Sequence, residues 1–208
     1  MRYLTRASVL WLLAGLILVA RPMRAADDKA EKKENEKVEL QVGDPAPEFE
    51  ATDDQDQTWL SSEHVGKKYL VVYFYPGDFT PGCLNQARIV RDNMKRLAEA
   101  GVEVVGVSGD SVETHALFKK VEKLDFKLLA DVDGSVAKLF GVPVRPGGEV
   151  KAKDAEGKFV TIKRPVTLDR WTFIIGKDGK ILYKNTKVHP GTDLKQVLGF
   201  IEKLEKKE

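Results

Sequence analysis

The sequence predicts an α/β layered domain built on a mixed sheet, and three features predict it. From residue 39 onward, apolar runs of strand length alternate with stretches whose hydrophobic residues recur at helical spacing. The chain then closes on two short β-like runs around a tight turn, followed by an amphipathic helix. The composition, 42% hydrophobic and 32% charged over 208 residues, suits one core-burying domain plus a tail.

The tail comes first. Arg2 and Arg6 precede an apolar run of 14 residues, Ala7–Ala20, and a basic segment ahead of such a run is the pattern of a secretory signal. A membrane-spanning helix usually needs about 17–25 apolar residues, which makes this run short for one. Residues 1–25 are therefore expected to be a signal peptide and the protein to be exported, most simply to a periplasm; an uncleaved membrane anchor is the alternative. Cutting after Ala25 leaves Met23 where a small side chain is preferred. Losing the four arginines of residues 1–25, which hold no acid, turns the formal net charge from +2 to −2. That balance excludes a strongly basic nucleic-acid binder. Residues 26–38 are almost entirely Lys, Glu, Asp, Asn and Ala, too polar to offset their ordering entropy, and read as a charged flexible linker. The folded domain is placed at 39–208.

Within it, Tyr69–Tyr75 is a continuous apolar and aromatic run, as for a strand covered on both faces. Residues 82–99 carry Leu84, Ala87, Ile89, Val90, Met94 and Leu97 at mostly helical spacing and predict one helix. Val102–Ser108 predicts a second strand, and Ser111–Leu124 a helix with Ser111 as N-cap. A strand at 127–130 and a helix at 135–140 follow. Residues 144–168 interrupt the alternation with two β-like runs, 149–153 and 158–163, around a turn at 154–157. They read as an inserted hairpin whose lysines face solvent. Trp171–Ile175 and Lys180–Lys184 flank Asp178-Gly179, a strong hairpin turn signal. Residues 193–206 form the closing helix.

One cysteine in the whole sequence excludes an internal disulfide framework, a Cys-based zinc site and any two-thiol redox motif within the chain. Cys83 stands where a strand gives way, through Pro76-Gly-Asp-Phe-Thr80-Pro-Gly, to a helix start. Free backbone N–H groups and the positive end of the helix dipole stabilise a thiolate there. On residue type alone, Cys83 is either an activated nucleophile or a small buried hydrophobe. Thr80 could equally be a helix cap, Pro76 a turn former and Arg170 a surface residue ahead of a strand. His64, His115 and His189 have no metal-ligand spacing, and Asp131-x-Asp133-Gly lacks the rest of a calcium loop.

Pro76-x-x-x-Thr80-x-x-Cys83 resembles the active-site motif of the peroxiredoxins, and the string YFYPGDFTPGC looks most like their bacterioferritin-comigratory, or Q-type, branch. Val42-Gly-Asp-Pro-Ala-Pro-Glu-Phe49 is similar to the family's opening segment, and Arg170–Ile175 with Asp178–Ile181 to its Arg-bearing strand and hairpin. The resemblance spans about residues 40–205 and implies a thioredoxin-like fold, with a central mixed sheet flanked by helices. It implies a thiol-dependent peroxidase with Cys83 as nucleophile, Thr80 as donor to or acceptor from the peroxide, Arg170 as the fixed cation and Pro76 as the wall against water. It also implies a hydroperoxide substrate, an external thiol reductant (a thioredoxin-like protein or a small thiol), no metal or organic cofactor, and room for a homodimer. Two positions depart from the pattern. Many Q-type relatives place a resolving cysteine five residues after the first, where this chain has Arg88; with no other cysteine in the sequence, this implies a one-cysteine cycle, reset by an outside thiol or by a disulfide between two chains. The residue three after the cysteine, often Glu in that branch, is Gln86, which removes an acid near the site. The rival readings are a thioredoxin-fold binding module that has lost catalysis and a thiol–disulfide exchange protein.

Overall fold

The computed structural model describes residues 39–206; the expected signal peptide and the expected linker at 26–38 lie outside them. Nine strands and five helices follow in order: β1 (Glu50–Asp53), β2 (Thr58–Leu60), β3 (Tyr69–Phe74), α1 (Pro81–Asp92), α2 (Met94–Glu99), β4 (Val102–Ser108), α3 (Val112–Glu122), β5 (Lys127–Ala130), α4 (Ser135–Leu139), β6 (Val144–Lys153), β7 (Phe159–Leu168), β8 (Trp171–Ile175), β9 (Ile181–Asn185) and α5 (Asp193–Glu205). Seven strands form one mixed sheet in the order β2-β1-β5-β4-β3-β8-β9, and β6 pairs with β7 alone. The β3–β4 and β4–β5 pairs are parallel; β3–β8 and β8–β9 are antiparallel. None of the helices described is long and apolar enough to cross a membrane.

Why β3 is a continuous apolar run is visible in what each face meets. Tyr69, Val71, Tyr73 and Tyr75 enter a core with Ala87, Val90, Leu97, Phe118 and Ile201 of the helices on one side. Leu70, Val72 and Phe74 enter a second core with Phe140, Phe173 and Phe49. A strand buried on both faces has no reason to alternate. Each such side chain contributes about 1.5–3 kcal/mol of burial. The opening segment is tied to the terminal hairpin: Gly43 and Ala46 donate backbone N–H groups to the Ile181 and Gly179 carbonyls at 2.8 and 2.9 Å.

Four expectations are corrected. The single helix at 82–99 is two, because the Asn93 side chain donates to the Ile89 carbonyl at 2.8 Å and takes the backbone out of helix between α1 and α2. The β1–β2 hairpin is absent from the sequence reading, since its strands are only four and three residues long. Its turn is built by Asp53, whose carboxylate accepts from the Gln55 and Gln57 amides at 2.8 and 3.1 Å. The last strand, β9, starts one residue later than expected. The inserted hairpin is longer than its β-like runs, pairing from Val144↔Leu168 to Lys153↔Phe159 straight through Pro146. A two-stranded ribbon tolerates proline because each strand keeps a free edge. Its tip is exposed, lysines included, whereas its root carries Val144, Val166 and Leu168 into the core. Asp131 caps α4, accepting from the Val136 and Ala137 amides at 3.0 and 2.8 Å.

Candidate active site

The turn between β3 and α1 holds Pro76, half buried, and ends at Thr80, the N-cap of α1. Pro81 fills the first helical position, where a missing N–H costs nothing, and Cys83 follows in the first turn. Helical geometry leaves the Gly82 and Cys83 N–H groups without a partner one turn back. The thiol is 2% exposed. Thr80 does not cap with its side chain; its hydroxyl donates to the Gly77 carbonyl at 3.1 Å.

Arg170 reaches this point by register. Trp171 of β8 lies opposite Phe74 at the end of β3, which sets Arg170 beside the chain as it leaves the sheet. Its Nη2 donates to Cys83 Sγ at 3.0 Å, and its Nη1 donates to Gln86 Oε1. Gly82 lies against the same guanidinium: a Cβ there would stand 3.4 Å from Arg170 Nη2. Cys83, Thr80, Pro76 and Arg170 are thus gathered around one loop and one helix start.

Position 86 is Gln, and a buried carboxylate that the sequence reading did not single out, Asp193, lies behind it. Gln86 Nε2 donates to Asp193 Oδ2 at 2.9 Å, as does the Thr172 hydroxyl at 2.8 Å. A carboxylate only accepts, so Asp193 orients the Gln86 amide with its oxygen towards Arg170. Asp193 is 4% exposed and its Oδ1 has no protein partner. Burial raises its pKa, with Thr172, Gln86 and Arg170 pulling the other way without cancelling the rise. In sequence Asp193 signals only a helix start. Asp193→Asn is expected to slow Cys83 oxidation by peroxide roughly three- to tenfold, the worth of one hydrogen bond. Because the folded pKa is raised, ionising this carboxyl opposes folding at neutral pH, and that penalty fades as pH falls through the folded pKa towards 3.8. The variant's unfolding midpoint at pH 7 is therefore expected to be no lower than that of the wild type; a lower one would count against this account.

A second set of polar groups, also missed, lies under the loop. The Asp78 carboxylate accepts from Tyr75 Oη at 2.7 Å and from His115 Nδ1 at 2.8 Å; His115 Nε2 faces the Leu129 carbonyl at 3.2 Å. Both ring nitrogens face acceptors, an arrangement that favours the doubly protonated imidazole. Burial pulls its pKa down, yet Asp78, Asp110 and the Leu129 carbonyl outweigh burial and the net shift is upward. A raised histidine pKa stabilises the fold fully below 6.5 and loses that stabilisation as pH rises through the folded value. Urea unfolding is expected to show stability declining over that window, with the decline absent in His115→Asn; an unchanged slope in the variant would refute the assignment. Asp110 Oδ2 accepts from the Asp78 amide at 2.7 Å and the Ser108 hydroxyl at 2.8 Å. Phe79, between Asp78 and Thr80, has φ +60°, a left-handed conformation that costs a non-glycine residue about 1–3 kcal/mol.

Arg88, five residues after Cys83, forms a two-point ion pair with Glu122 of α3 at 2.6 and 2.9 Å. Among the described residues no group of three or more His, Cys, Asp or Glu side chains is placed to hold a metal ion.

Comparison with known proteins points to one family. Residues 42–184 match the AhpC/TSA family. Peroxiredoxin Bcp of Bacillus subtilis is 33% identical over 168 residues, 81% of this chain and 99% of that protein. The crystal structure of peroxidoxin BcpB from Mycobacterium tuberculosis matches with a TM-score of 0.65 at 30% identity, covering 79% of this chain and 98% of that one. The bacterioferritin comigratory protein of Xanthomonas campestris, studied for its alkyl peroxide reduction activity, matches with a TM-score of 0.63 at 25% identity over 79% of this chain and 96% of that one. The lone thiol at a helix start, its arginine from a neighbouring strand and these relatives together place the chain in the AhpC/TSA family, as a peroxiredoxin of the Q type.

Proposed function

We propose that Cys83 carries the thiol-dependent peroxidase activity of this peroxiredoxin in a one-cysteine cycle, reset by thiols from outside the chain. The observation that carries the reading is the Arg170 guanidinium 3.0 Å from the only sulfur nucleophile in the sequence. The Cys83 thiolate attacks one peroxide oxygen in line with the O–O bond. The S–O bond forms as the O–O bond breaks, and the departing oxygen takes a proton and leaves as water or an alcohol. Sulfur is oxidised by two electrons to a sulfenic acid. The Gly82 and Cys83 N–H groups and Arg170 stabilise the charge that develops on the oxygens, the Thr80 hydroxyl accepts from the peroxide O–H, and Pro76 closes one side of the pocket. An external thiolate then attacks the sulfenic sulfur, expelling hydroxide, and a second thiol releases Cys83 from the mixed disulfide.

Hydrogen peroxide and organic hydroperoxides are the proposed substrates, the latter favoured by the activity of the Xanthomonas campestris relative. Cys83, the single cysteine of the sequence, favours the one-cysteine cycle. A thioredoxin-like protein or a small thiol is the proposed reductant, and a homodimer fits the same reading. Export to a periplasm is proposed from Arg2, Arg6 and the apolar run behind them.

Mass spectrometry of the purified protein, before and after one equivalent of peroxide, tests the core of this reading. Cys83 is expected to gain one oxygen atom, to be trapped by dimedone and to return to the thiol with dithiothreitol. A Cys83 unchanged by peroxide would return the chain to a binding module. The untreated mass also reports whether residues 1–25 have been removed.

A further inference from the structure

We propose that Arg164, brought in by the inserted hairpin, is a positioning residue for the Cys83 loop: by bonding Asp110 and the Asp78 carbonyl it fixes residues 77–80 in the conformation that presents Thr80 and Cys83 to a peroxide. The proposal rests on the reading of Cys83 as the peroxide-reducing thiol.

The hairpin tip is solvated, but Arg164 near its root behaves differently from the surrounding lysines. Its side chain is 7% exposed, and Nε donates to Asp110 Oδ1 at 2.9 Å while Nη2 donates to the Asp78 backbone carbonyl at 2.9 Å. The guanidinium lies directly on Gly77, where an added Cβ would come within 2.2 Å of Arg164 Cζ; with φ at +154°, Gly77 suits only glycine on both counts. Asp78 is thereby held on every side. Its amide donates to Asp110, its carbonyl accepts from Arg164, and its carboxylate accepts from Tyr75 and His115. Asp78, Asp110 and His115 are fully buried, and the Arg164 guanidinium and the His115 ring are the groups that face the two carboxyls.

Such a cluster is more than the packing of a hairpin requires. Phe79 adopts its left-handed backbone immediately after Asp78, and a strained residue persists only where its surroundings over-determine it. Here the over-determination comes from the fixed Asp78 peptide on one side and the contact of Phe79 with Phe118, ring centroids 5.0 Å apart, on the other. Thr80 then hangs from the same turn, its hydroxyl on the Gly77 carbonyl. A guanidinium can bond a carboxylate and a carbonyl at once because its donors diverge in a rigid plane; an ammonium is a point charge and cannot reproduce that. Arg164 touches neither Cys83 nor the place of a peroxide, and its influence passes through Asp78.

The test compares two reactions of the same sulfur in Arg164→Gln, Arg164→Lys and the tip variant Phe159→Ser, well below each melting midpoint. Oxidation by hydrogen peroxide needs the aligned loop, whereas alkylation by iodoacetamide needs only the thiolate and access to it. Arg164→Gln is expected to slow oxidation by about tenfold or more, the cost of losing a charge-assisted hydrogen bond that positions the reacting groups. It is expected to speed alkylation, with Arg164→Lys intermediate in both and Phe159→Ser like the wild type. Oxidation rates within about twofold of the wild type in the Arg164 variants, or both reactions falling together, would overturn the proposal. Should neither Arg164 variant fold, amide hydrogen exchange of the wild type decides: the Asp78 amide is expected to exchange as slowly as the β3 amides, and fast exchange would overturn the clamp. A wild type inert to peroxide would sink the peroxidase reading instead, while alkylation and exchange still report on Arg164.

Discussion

Cys83→Ser is expected to reduce hydroperoxide turnover to the uncatalysed background, a loss of at least about 10⁴-fold, the scale on which removing an enzyme nucleophile acts. A serine hydroxyl stays un-ionised at neutral pH even beside a guanidinium, and oxygen cannot take up the peroxide oxygen to form a sulfenic acid. No other sulfur nucleophile exists in the chain to take over. The fold should survive, because the hydroxyl is slightly smaller than the thiol and can still accept from Arg170, and the site already accommodates charged and polar neighbours. The measurement is peroxide consumption with dithiothreitol as reductant, alongside a thermal melt. Equal rates for the two proteins would move the activity away from Cys83 altogether.

Which parts of the molecule could be read from sequence depends on how far each residue's reason to exist lies from it along the chain. The strand at 69–74 and the turn at 176–179 were legible because burial on both faces and a tight turn leave local marks in residue type. The Cys83 loop was legible because its chemistry needs Pro, Thr, Gly and Cys in one short string. Arg170 was legible only through family resemblance, and the β3–β8 register is what sets it beside the Cys83 loop. Asp193 and Arg164 carried no usable mark. The first is an acid at a helix start, where acids are common, yet it turns inward to Gln86 over 107 residues of separation. The second is one basic residue in a hairpin of lysines, and only its burial against Asp110 and Gly77 sets it apart. Single polar residues that act at long range look in sequence like solvated surface, and the partners that give them meaning are supplied by the fold.

Arg170→Gln is expected to lower the rate of Cys83 oxidation by about 10²–10³-fold, the usual cost of removing a fixed donor aimed at charge developing in a transition state. The guanidinium does two things that a glutamine cannot. Its Nη2 supports negative charge on the sulfur from 3.0 Å, and the same group stands within reach of the oxygen that leaves, since the S–O bond forms on the sulfur it already touches. Its second arm, Nη1 on Gln86, anchors it through Gln86 to Asp193, so the cation is in place before the reaction and needs no reorganisation during it. Arg170→Lys keeps the charge but not the fork. It can serve Cys83 or Gln86 but not both, and it is expected to recover part of the lost rate, leaving a deficit of about tenfold. Stopped-flow oxidation of each variant by hydrogen peroxide gives these numbers, and iodoacetamide alkylation separates this residue from Arg164. Loss of the Arg170 charge should slow both reactions of the sulfur, whereas loss of the Arg164 clamp should slow one and speed the other. If Arg170→Gln reacted with peroxide within about threefold of the wild type, the contact with Cys83 would be packing, and the stabilisation of the leaving oxygen would have to come from the Gly82 and Cys83 amides alone.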